Sequence, residues 1–122
     1  MPLFKTQFDV NRFNSHERVT VRFSQYASGG VAILLDCDDG SPYANATINI
    51  NDDVRTPLAT NEVAIKDYSE GEGMADLMIE NGIINAQVIK SADIGHVLVN
   101  IYQLSQSSLD LIAGKVTKKF KF

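Results

Sequence analysis

The chain of 122 residues has the length of one ordinary domain and can bury a hydrophobic core without disulfide or metal cross-links. A hydrophobic fraction of 44% and a charged fraction of 21% exclude an intrinsically disordered chain. The net charge of -4 is unevenly distributed, because residues 36–80 hold 11 acidic and 2 basic side chains, a charge of -9, whereas the remainder carries +5.

Neither targeting nor membrane segments are evident in the sequence. The first ten residues, MPLFKTQFDV, lack the apolar centre of a secretory signal, and the longest apolar run, Val31 to Leu35, is far too short to cross a bilayer. Cys37 is the only cysteine, which excludes an intrachain disulfide. We therefore expect a cytoplasmic protein with no membrane contact, folded as a single domain over residues 1–122.

The N-terminal third of the sequence predicts an antiparallel hairpin. The phenylalanines within residues 1–17 are four and five positions apart, which suggests an irregular arm or a short helix. Arg18 to Tyr26 alternates apolar and polar residues, the pattern of a half-buried strand, with Val19, Val21 and Phe23 on one side. A glycine turn at 28–30 and the apolar run Val31 to Asp36 predict the returning strand.

Two further strands are predicted between residues 43 and 66. After a loop at 38–42, residues 43–51 alternate small or aliphatic side chains with polar ones, so that Thr47 belongs to a polar outer face. Residues 51–61 contain acids, threonines and a proline and predict a loop. The alternating stretch EVAIK, residues 62–66, predicts a fourth strand.

The stretch KDYSEGEGMADLMIENGII predicts the main helix. Ser69 and Glu72 have the spacing of a capping box, in which each side chain bonds the backbone N–H of the other residue. Apolar residues then recur every three or four positions, and Asn81-Gly82 supplies a left-handed exit. We therefore expect a helix from about residue 70 to residue 81.

The C-terminal third of the sequence predicts extended structure. Residues 83–90 and 96–104 favour strands, and Val97, Val99 and Ile101 share one face of the second. Residues 109–113 suggest a helical turn ended by Gly114, and the alternating lysines of residues 115–122 suggest an edge strand. The predicted fold class is α+β: a mostly antiparallel sheet of about five to six strands with one main helix packed on one face.

An acidic row on the main helix is the most informative candidate site. Glu72, Asp76 and Glu80 are spaced by four and therefore lie on one helical face, and no basic residue occurs between Asp67 and Gln87. The row is either an ordinary solvated face or a surface that binds a basic partner. The candidate partner-binding residues are Asp67, Glu70, Glu72, Asp76 and Glu80.

Two patterns for other site chemistries fit poorly. Residues 36–40 (DCDDG) suggest a calcium loop, but the glycine comes one position early and Thr47 replaces the required glutamate, so a hairpin loop is favoured. Cys37 could act as a nucleophile if His96 or His16 lay beside it. Nothing in the sequence, however, indicates that either histidine is a partner of Cys37. No metal or phosphate-binding motif is present, so we expect neither a cofactor nor an enzyme.

Nucleic-acid binding is the alternative that the basic residues support. The C-terminus interleaves lysines with aromatic residues, as single-strand-binding surfaces do, and Arg18 and Arg22 would extend this surface if their strand lay beside it. The overall acidity opposes this hypothesis. The basic residues in question are Lys115, Lys118, Lys119 and Lys121, with Phe120 and Phe122 between them.

The segments EVAIKDYSEGEGM and LMIENGII resemble an uncharacterised family of small bacteriophage and mobile-element proteins. That family has a Lys-Asp-Tyr-Ser-Glu-Asn helix start and a helix ending in Gly-Ile-Val or Gly-Ile-Ile. The similar positions are Glu62 to Glu72, with Gly71 in place of the family's asparagine, and Gly82 to Ile84. The resemblance covers roughly a fifth of the chain and implies no catalytic residues. It implies that the protein comes from a mobile element. Small acidic proteins of such elements often bind host machinery.

The predicted function is therefore binding of a host protein through an acidic surface. The partner that the resemblance suggests is a nucleic-acid-handling complex, such as a bacterial defence nuclease inhibited in an anti-CRISPR-like manner. The alternatives are a nucleic-acid-binding accessory protein that uses the basic strands and, less favoured, a small enzyme that uses Cys37 and His96.

Overall fold

The computed structural model describes residues 3–12, 15–26, 30–48, 61–67, 73–94 and 97–118. Within these ranges the chain forms seven strands and two helices. In chain order they are β1 (Gln7–Arg12), β2 (Ser15–Gln25), β3 (Val31–Cys37), β4 (Pro42–Asn45), β5 (Glu62–Ala64), α1 (Met74–Glu80), β6 (Ile84–Ile94), β7 (Val97–Leu104) and α2 (Gln106–Lys118).

The strands form two antiparallel sheets, not the single sheet predicted from the sequence. The first sheet has the order β1-β2-β3-β4 and the second has the order β5-β7-β6. The α+β class and the antiparallel pairing are confirmed. The prediction of one sheet was wrong because alternation within a strand does not specify which strands pair.

A short segment after β4 connects the two sheets. Thr47 forms an isolated antiparallel bridge with Ile65, just beyond β5. On one side, the N–H of Ala46 donates to the carbonyl of Ile33 in the first sheet at 2.9 Å. On the other side, the N–H of Ile48 donates to the carbonyl of Ala64 in the second sheet at 3.0 Å. We call residues 46–48 the joint, because they are bonded to both sheets.

The main core lies between the two sheets and α1. The predicted alternation in β2 is confirmed, since Val19, Val21 and Phe23 are all buried. They belong to the same apolar cluster as Met78 of α1 and Leu104 of β7. Burial of such side chains stabilises the fold by about 1.5–3 kcal/mol each.

The central strand β7 contributes buried side chains to both of its faces. Tyr102 and Leu104 belong to the main core, whereas Val99 and Ile101 form a second apolar cluster with Ala64. The predicted shared face of Val97, Val99 and Ile101 is confirmed, because all three contribute to this second cluster. Burial on both sides accounts for the adjacent apolar residues Ile101 and Tyr102, whereas Leu98, earlier in the strand, is exposed.

The N-terminal segment is a strand, so the predicted arm or short helix over residues 1–17 was wrong. β1 pairs along its whole length with β2, and its Phe8 and Val10 are buried in the main core. The alternation involves only these two apolar positions, which is too short a pattern to stand out among phenylalanines spaced by four and five.

The C-terminal segment is helical where a turn and an edge strand were predicted. α2 runs from Gln106 through Gly114 to Lys118, so residues 115–118 are not extended, and residues 119–122 lie outside the described ranges. The hydroxyl of Ser105 accepts the N–H of Ser108 at 3.2 Å and caps the helix start. Gly114 does not end the helix, because a helix interior tolerates glycine at a cost of about 1 kcal/mol.

Helix α1 begins later than predicted and ends as predicted. Gly73, with φ 90°, precedes its first residue, so the helix does not extend continuously from residue 70. The proposed capping box of Ser69 and Glu72 lies outside the described residues. At the other end Gly82 has φ 70°, and the N–H of Ile83 donates to the carbonyl of Met78 at 2.9 Å. This is the Schellman arrangement expected of the Asn-Gly exit.

Thr47 is buried, not placed on a polar outer face as predicted. Its hydroxyl lies 2.9 Å from that of Tyr26 and donates to the side-chain oxygen of Asn45 at 2.8 Å. The backbone N–H of Ile33 also points to it at 3.3 Å. These partners satisfy the hydroxyl, which removes the cost of burying it.

In the described ranges, no helix combines the length and apolarity needed to span a bilayer.

Candidate protein-binding surface

The acidic row is present on α1 as far as the structure describes it. Asp76 and Glu80 are exposed and lie one turn apart, on the side opposite the buried Met74 and Met78. Four residues along a helix correspond to a rise of about 6 Å, so both carboxylates face the same solvent region. Glu70 and Glu72, the other predicted members on this segment, lie outside the described residues.

Asp67 occupies a different position from the row. Its Oδ1 accepts the backbone N–H of Ala75 at 3.3 Å, in the first turn of α1. A carboxylate at a helix start satisfies a donor that has no partner within the helix and interacts favourably with the helix dipole. The structure therefore gives Asp67 a role in stabilising the start of α1.

A groove separates the acidic face of α1 from strand β1. Its volume is about 420 Å³. Three consecutive residues of β1 form one wall and four residues of α1 and its start form the other; they are Asp9, Val10 and Asn11, and Gly73, Asp76, Leu77 and Glu80. We call this feature the acidic groove. The sequence did not predict its β1 wall, because residues 9 and 76 approach only through the tertiary fold.

The unneutralised charge of the acidic groove comes from the helix wall. Within the described part of the chain, the carboxylates of Asp76 and Glu80 have no hydrogen-bond or ion-pair partner. Asp9, on the strand wall, lies 3.4 Å from Arg18 and 3.6 Å from His16. Asp76 and Glu80 are therefore the groups in this groove best placed to attract an external cation.

Other acids of residues 36–80 are paired, which reduces the predicted charge separation. Arg22 donates from Nε to Asp36 Oδ2 at 2.8 Å, and this hydrogen bond lowers the pKa of Asp36 below its ordinary value. Glu62 lies 3.5 Å from Lys90. These two acids are thus locally neutralised, and the acidic groove differs from them in having no described cation beside its helix carboxylates.

The loop that resembled a calcium site is a tight hairpin turn, as favoured from the sequence. Gly40 has φ 87°, and its N–H donates to the carbonyl of Cys37 at 2.9 Å. Asp39 accepts hydrogen bonds from the hydroxyl and the backbone N–H of Ser41, and these lower its pKa. Across the described residues, no three acidic, histidine or cysteine side chains form a group that could hold a metal ion.

The described part of the chain contains no Cys-His pair. Cys37 is a free thiol at the end of β3, partly buried, and its register partner on β2 is Val19. His16, three residues earlier on β2, contacts Asn11 and Asp9. His96 lies outside the described residues.

The basic strand surface predicted for nucleic acid is not formed as expected. Arg18 and Arg22 are exposed on β2, but they are paired with Asp9 and Asp36. Lys115 and Lys118 belong to α2 and not to a strand beside β2. The remaining predicted members, Lys119, Phe120, Lys121 and Phe122, lie outside the described residues.

A second groove, of about 550 Å³, lies between the start of α2, the start of β6 and the N-terminal segment. Residues such as Phe4, Ile84, Asn85 and Ser105 line it. None of its described lining residues is acidic, basic, histidine or cysteine, so it offers no side chain suited to general acid-base catalysis.

Comparisons with protein-family models, with curated proteins and with solved structures gave no match to this chain. The resemblance of residues 62–84 to a mobile-element family therefore stays a prediction from the sequence.

Proposed function

We propose that this protein is a non-enzymatic binding protein that engages a basic surface of a partner protein through the acidic groove. The observation that carries the proposal is the pair Asp76 and Glu80, exposed one turn apart with no described counterion. Like charges at this spacing destabilise an isolated helix by a few tenths of a kcal/mol. A partner that supplies positive charge would remove this repulsion.

The class of partner we propose is a nucleic-acid-handling complex of a bacterial host, inhibited in an anti-CRISPR-like manner in the cytoplasm. A groove that binds nucleic acid is lined with lysine and arginine, and a row of carboxylates can occupy it in place of phosphates. The resemblance of residues 62–84 to mobile-element proteins supports the same setting.

Affinity capture from a bacterial lysate, followed by mass spectrometry, tests the proposal. The double variant Asp76→Lys/Glu80→Lys changes the net charge by four units and should lose the captured partner. The control variant Asp38→Lys/Asp93→Lys makes the same charge change at two exposed acids outside the acidic groove and should retain it. Equal capture by both variants would exclude this surface, and circular dichroism checks that both remain folded.

A gel-shift assay separates protein binding from the nucleic-acid alternative. Electrostatic binding to nucleic acid weakens steeply as salt concentration rises. We expect no shift of single-stranded or duplex DNA or RNA at low salt, because the exposed arginines of β2 are already paired with carboxylates. A tight shift that salt abolishes would instead support the nucleic-acid hypothesis.

A further inference from the structure

Strand β1 is one of the two outer strands of its sheet and has a regular register. Among the described strands its only neighbour is β2, and its six residues pair with β2 without interruption. β6, one of the two outer strands of the second sheet, differs in this respect. Its pairing with β7 shifts register between Ile84 and Val88 and again between Val88 and Lys90. Such irregularities discourage pairing with another chain, whereas a regular edge permits it.

The hydrogen-bond pattern shows which backbone groups of β1 point away from the sheet. The N–H of Val21 donates to the carbonyl of Thr6 at 2.7 Å, which makes Thr6 and Val21 a hydrogen-bonded pair. In an antiparallel ladder such pairs alternate with pairs that exchange no backbone bonds. Gln7, Asp9 and Asn11 therefore direct their N–H and C=O groups to the free edge.

The edge already donates one backbone hydrogen bond, to the residue that follows α1. Lys5 lies in the same outward-facing series, and its N–H donates to the carbonyl of Asn81 at 2.9 Å. This bond holds the chain before β1 against the end of α1. Beyond it, no backbone bond among the described residues uses the outward N–H groups of Asp9 or Asn11.

The acidic groove and the free edge coincide. Asp9, Val10 and Asn11 of β1 line the acidic groove, opposite Asp76 and Glu80. Val10 belongs to the same core cluster as Met78, so α1 lies on the sheet face toward which Val10 points. Because side chains of a strand alternate between faces, every second side chain of a strand added to β1 would point toward α1.

We propose that β1 receives an extended basic segment of the partner protein, which adds a fifth strand to the first sheet. Backbone bonds to Asp9 and Asn11 supply the affinity, and lysine or arginine at alternate positions pairs with Asp76 and Glu80. This inference depends on the proposed function and specifies the recognition mode of the same site. A hydrophobic segment without lysine or arginine is disfavoured at this edge, because its apolar side chains would lie against the carboxylates of α1 and remove them from water.

A capped nonapeptide that alternates lysine with threonine is the probe. Hydrogen exchange of the backbone amides is measured by NMR on the full chain, uniformly labelled with ¹⁵N, with and without the peptide. The peptide concentration is about 1 mM, which is comparable to the dissociation constant of a weak specific complex. We expect exchange of the Asp9 and Asn11 amides to slow at least tenfold. The same peptide with glutamate in place of lysine should cause no slowing. Unchanged exchange at these two amides with the lysine peptide overturns the proposal.

Two variants of Asn11 separate backbone pairing from side-chain contact. Asn11→Pro removes the outward N–H without removing a bond to β2, whereas Asn11→Ala keeps it. Peptide affinity should fall at least tenfold for the proline variant and stay within twofold for the alanine variant. Equal affinity of the two variants overturns strand addition. If Asn11→Pro does not fold, the exchange measurement on the unaltered chain decides.

The charge variant distinguishes the failure of this inference from the failure of the proposed function. Asp76→Lys/Glu80→Lys should weaken peptide binding at least tenfold. If it weakens capture of the lysate partner while the Asn11 variants bind equally, the acidic groove is a binding surface without strand addition. If it changes neither peptide binding nor capture, both proposals fail.

Discussion

Arg22 and Asp36 form a two-point ion pair across strands β2 and β3. Arg22 Nε lies 2.8 Å from Asp36 Oδ2, and Nη2 lies 3.4 Å from Oδ1. The register places Arg22 opposite Leu34 and Asp36 opposite Thr20, so the two charged residues are diagonal neighbours on the exposed face. Diagonal pairs of long side chains on one face are within contact distance.

Replacing Arg22 with methionine should raise the pKa of Asp36 toward its ordinary value of 3.8, because the hydrogen bond from Arg22 is the largest cause of the lowered pKa. A lowered pKa in the folded state means that Asp36 contributes stability above the unfolded value and loses it as the pH falls through the folded value. An NMR titration of the Asp36 carboxyl group measures the change. Arg18→Met, which removes the other described arginine of β2, should leave the pKa of Asp36 unchanged.

Leu35→Ala and Leu98→Ala compare the same substitution at buried and exposed strand positions. Leu35 is 0% exposed in the main core, whereas Leu98 is 63% exposed on β7. The first should lower the free energy of unfolding by about 2–5 kcal/mol, from lost burial and the cavity left behind. The second should change it by less than about 0.5 kcal/mol. Urea denaturation measures both; similar losses would contradict the core described for the first sheet.

Gly82→Ala should destabilise the protein more than Gly40→Ala. Both glycines have positive φ, 70° and 87°, so each alanine has a backbone cost of about 1–2 kcal/mol. A Cβ at Gly82 would also lie 3.0 Å from the Cα of Phe4, whereas a Cβ at Gly40 meets nothing within 4 Å. Thermal unfolding compares the two variants. Equal effects would mean that the segment before β1 moves away from the end of α1 without cost.

Thr47→Val should lower the free energy of unfolding by about 1–3 kcal/mol, since it leaves the buried N–H of Ile33 without its acceptor. The part-buried hydroxyl of Tyr26 also loses its bond to Thr47 but keeps the one from Asn45 Nδ2. The control Thr20→Val removes an exposed side-chain bond from Gln7 and should cost less than about 0.5 kcal/mol. Chemical denaturation measures both changes. An unchanged free energy of unfolding for Thr47→Val would indicate that water replaces the hydroxyl.

Strands with several alternating positions were predictable from the sequence. β2 and β7 each place three predicted apolar residues on one face, and the structure buries or packs all of them. β1 offers only Phe8 and Val10, so its pattern was too short to distinguish it from an arm. In α2, Leu109 and Ile112 are spaced by three and pack on the core, but Gly114 suggested that the helix had already ended.

The candidate site was predictable only on its helix side. Helical spacing alone places Asp76 and Glu80 on one face, which the structure confirms. The opposite wall depends on β1 lying beside α1, a proximity of residues far apart in sequence that no local pattern encodes. The pairing of Asp36 with Arg22 was hidden for the same reason, since it follows from strand register and not from sequence distance.

The joint at residues 46–48 has a consequence for the order in which the protein folds. Hairpins such as β2–β3 and β6–β7 bring together residues close in sequence and can form early. The joint instead requires Thr47 to reach Ile65, whose N–H donates to the carbonyl of Asn100. Because closing longer loops costs more chain entropy and slows folding, we expect closure of the joint, together with the still longer-range pairing of Glu62 with Gln103, to follow the hairpins and limit the folding rate.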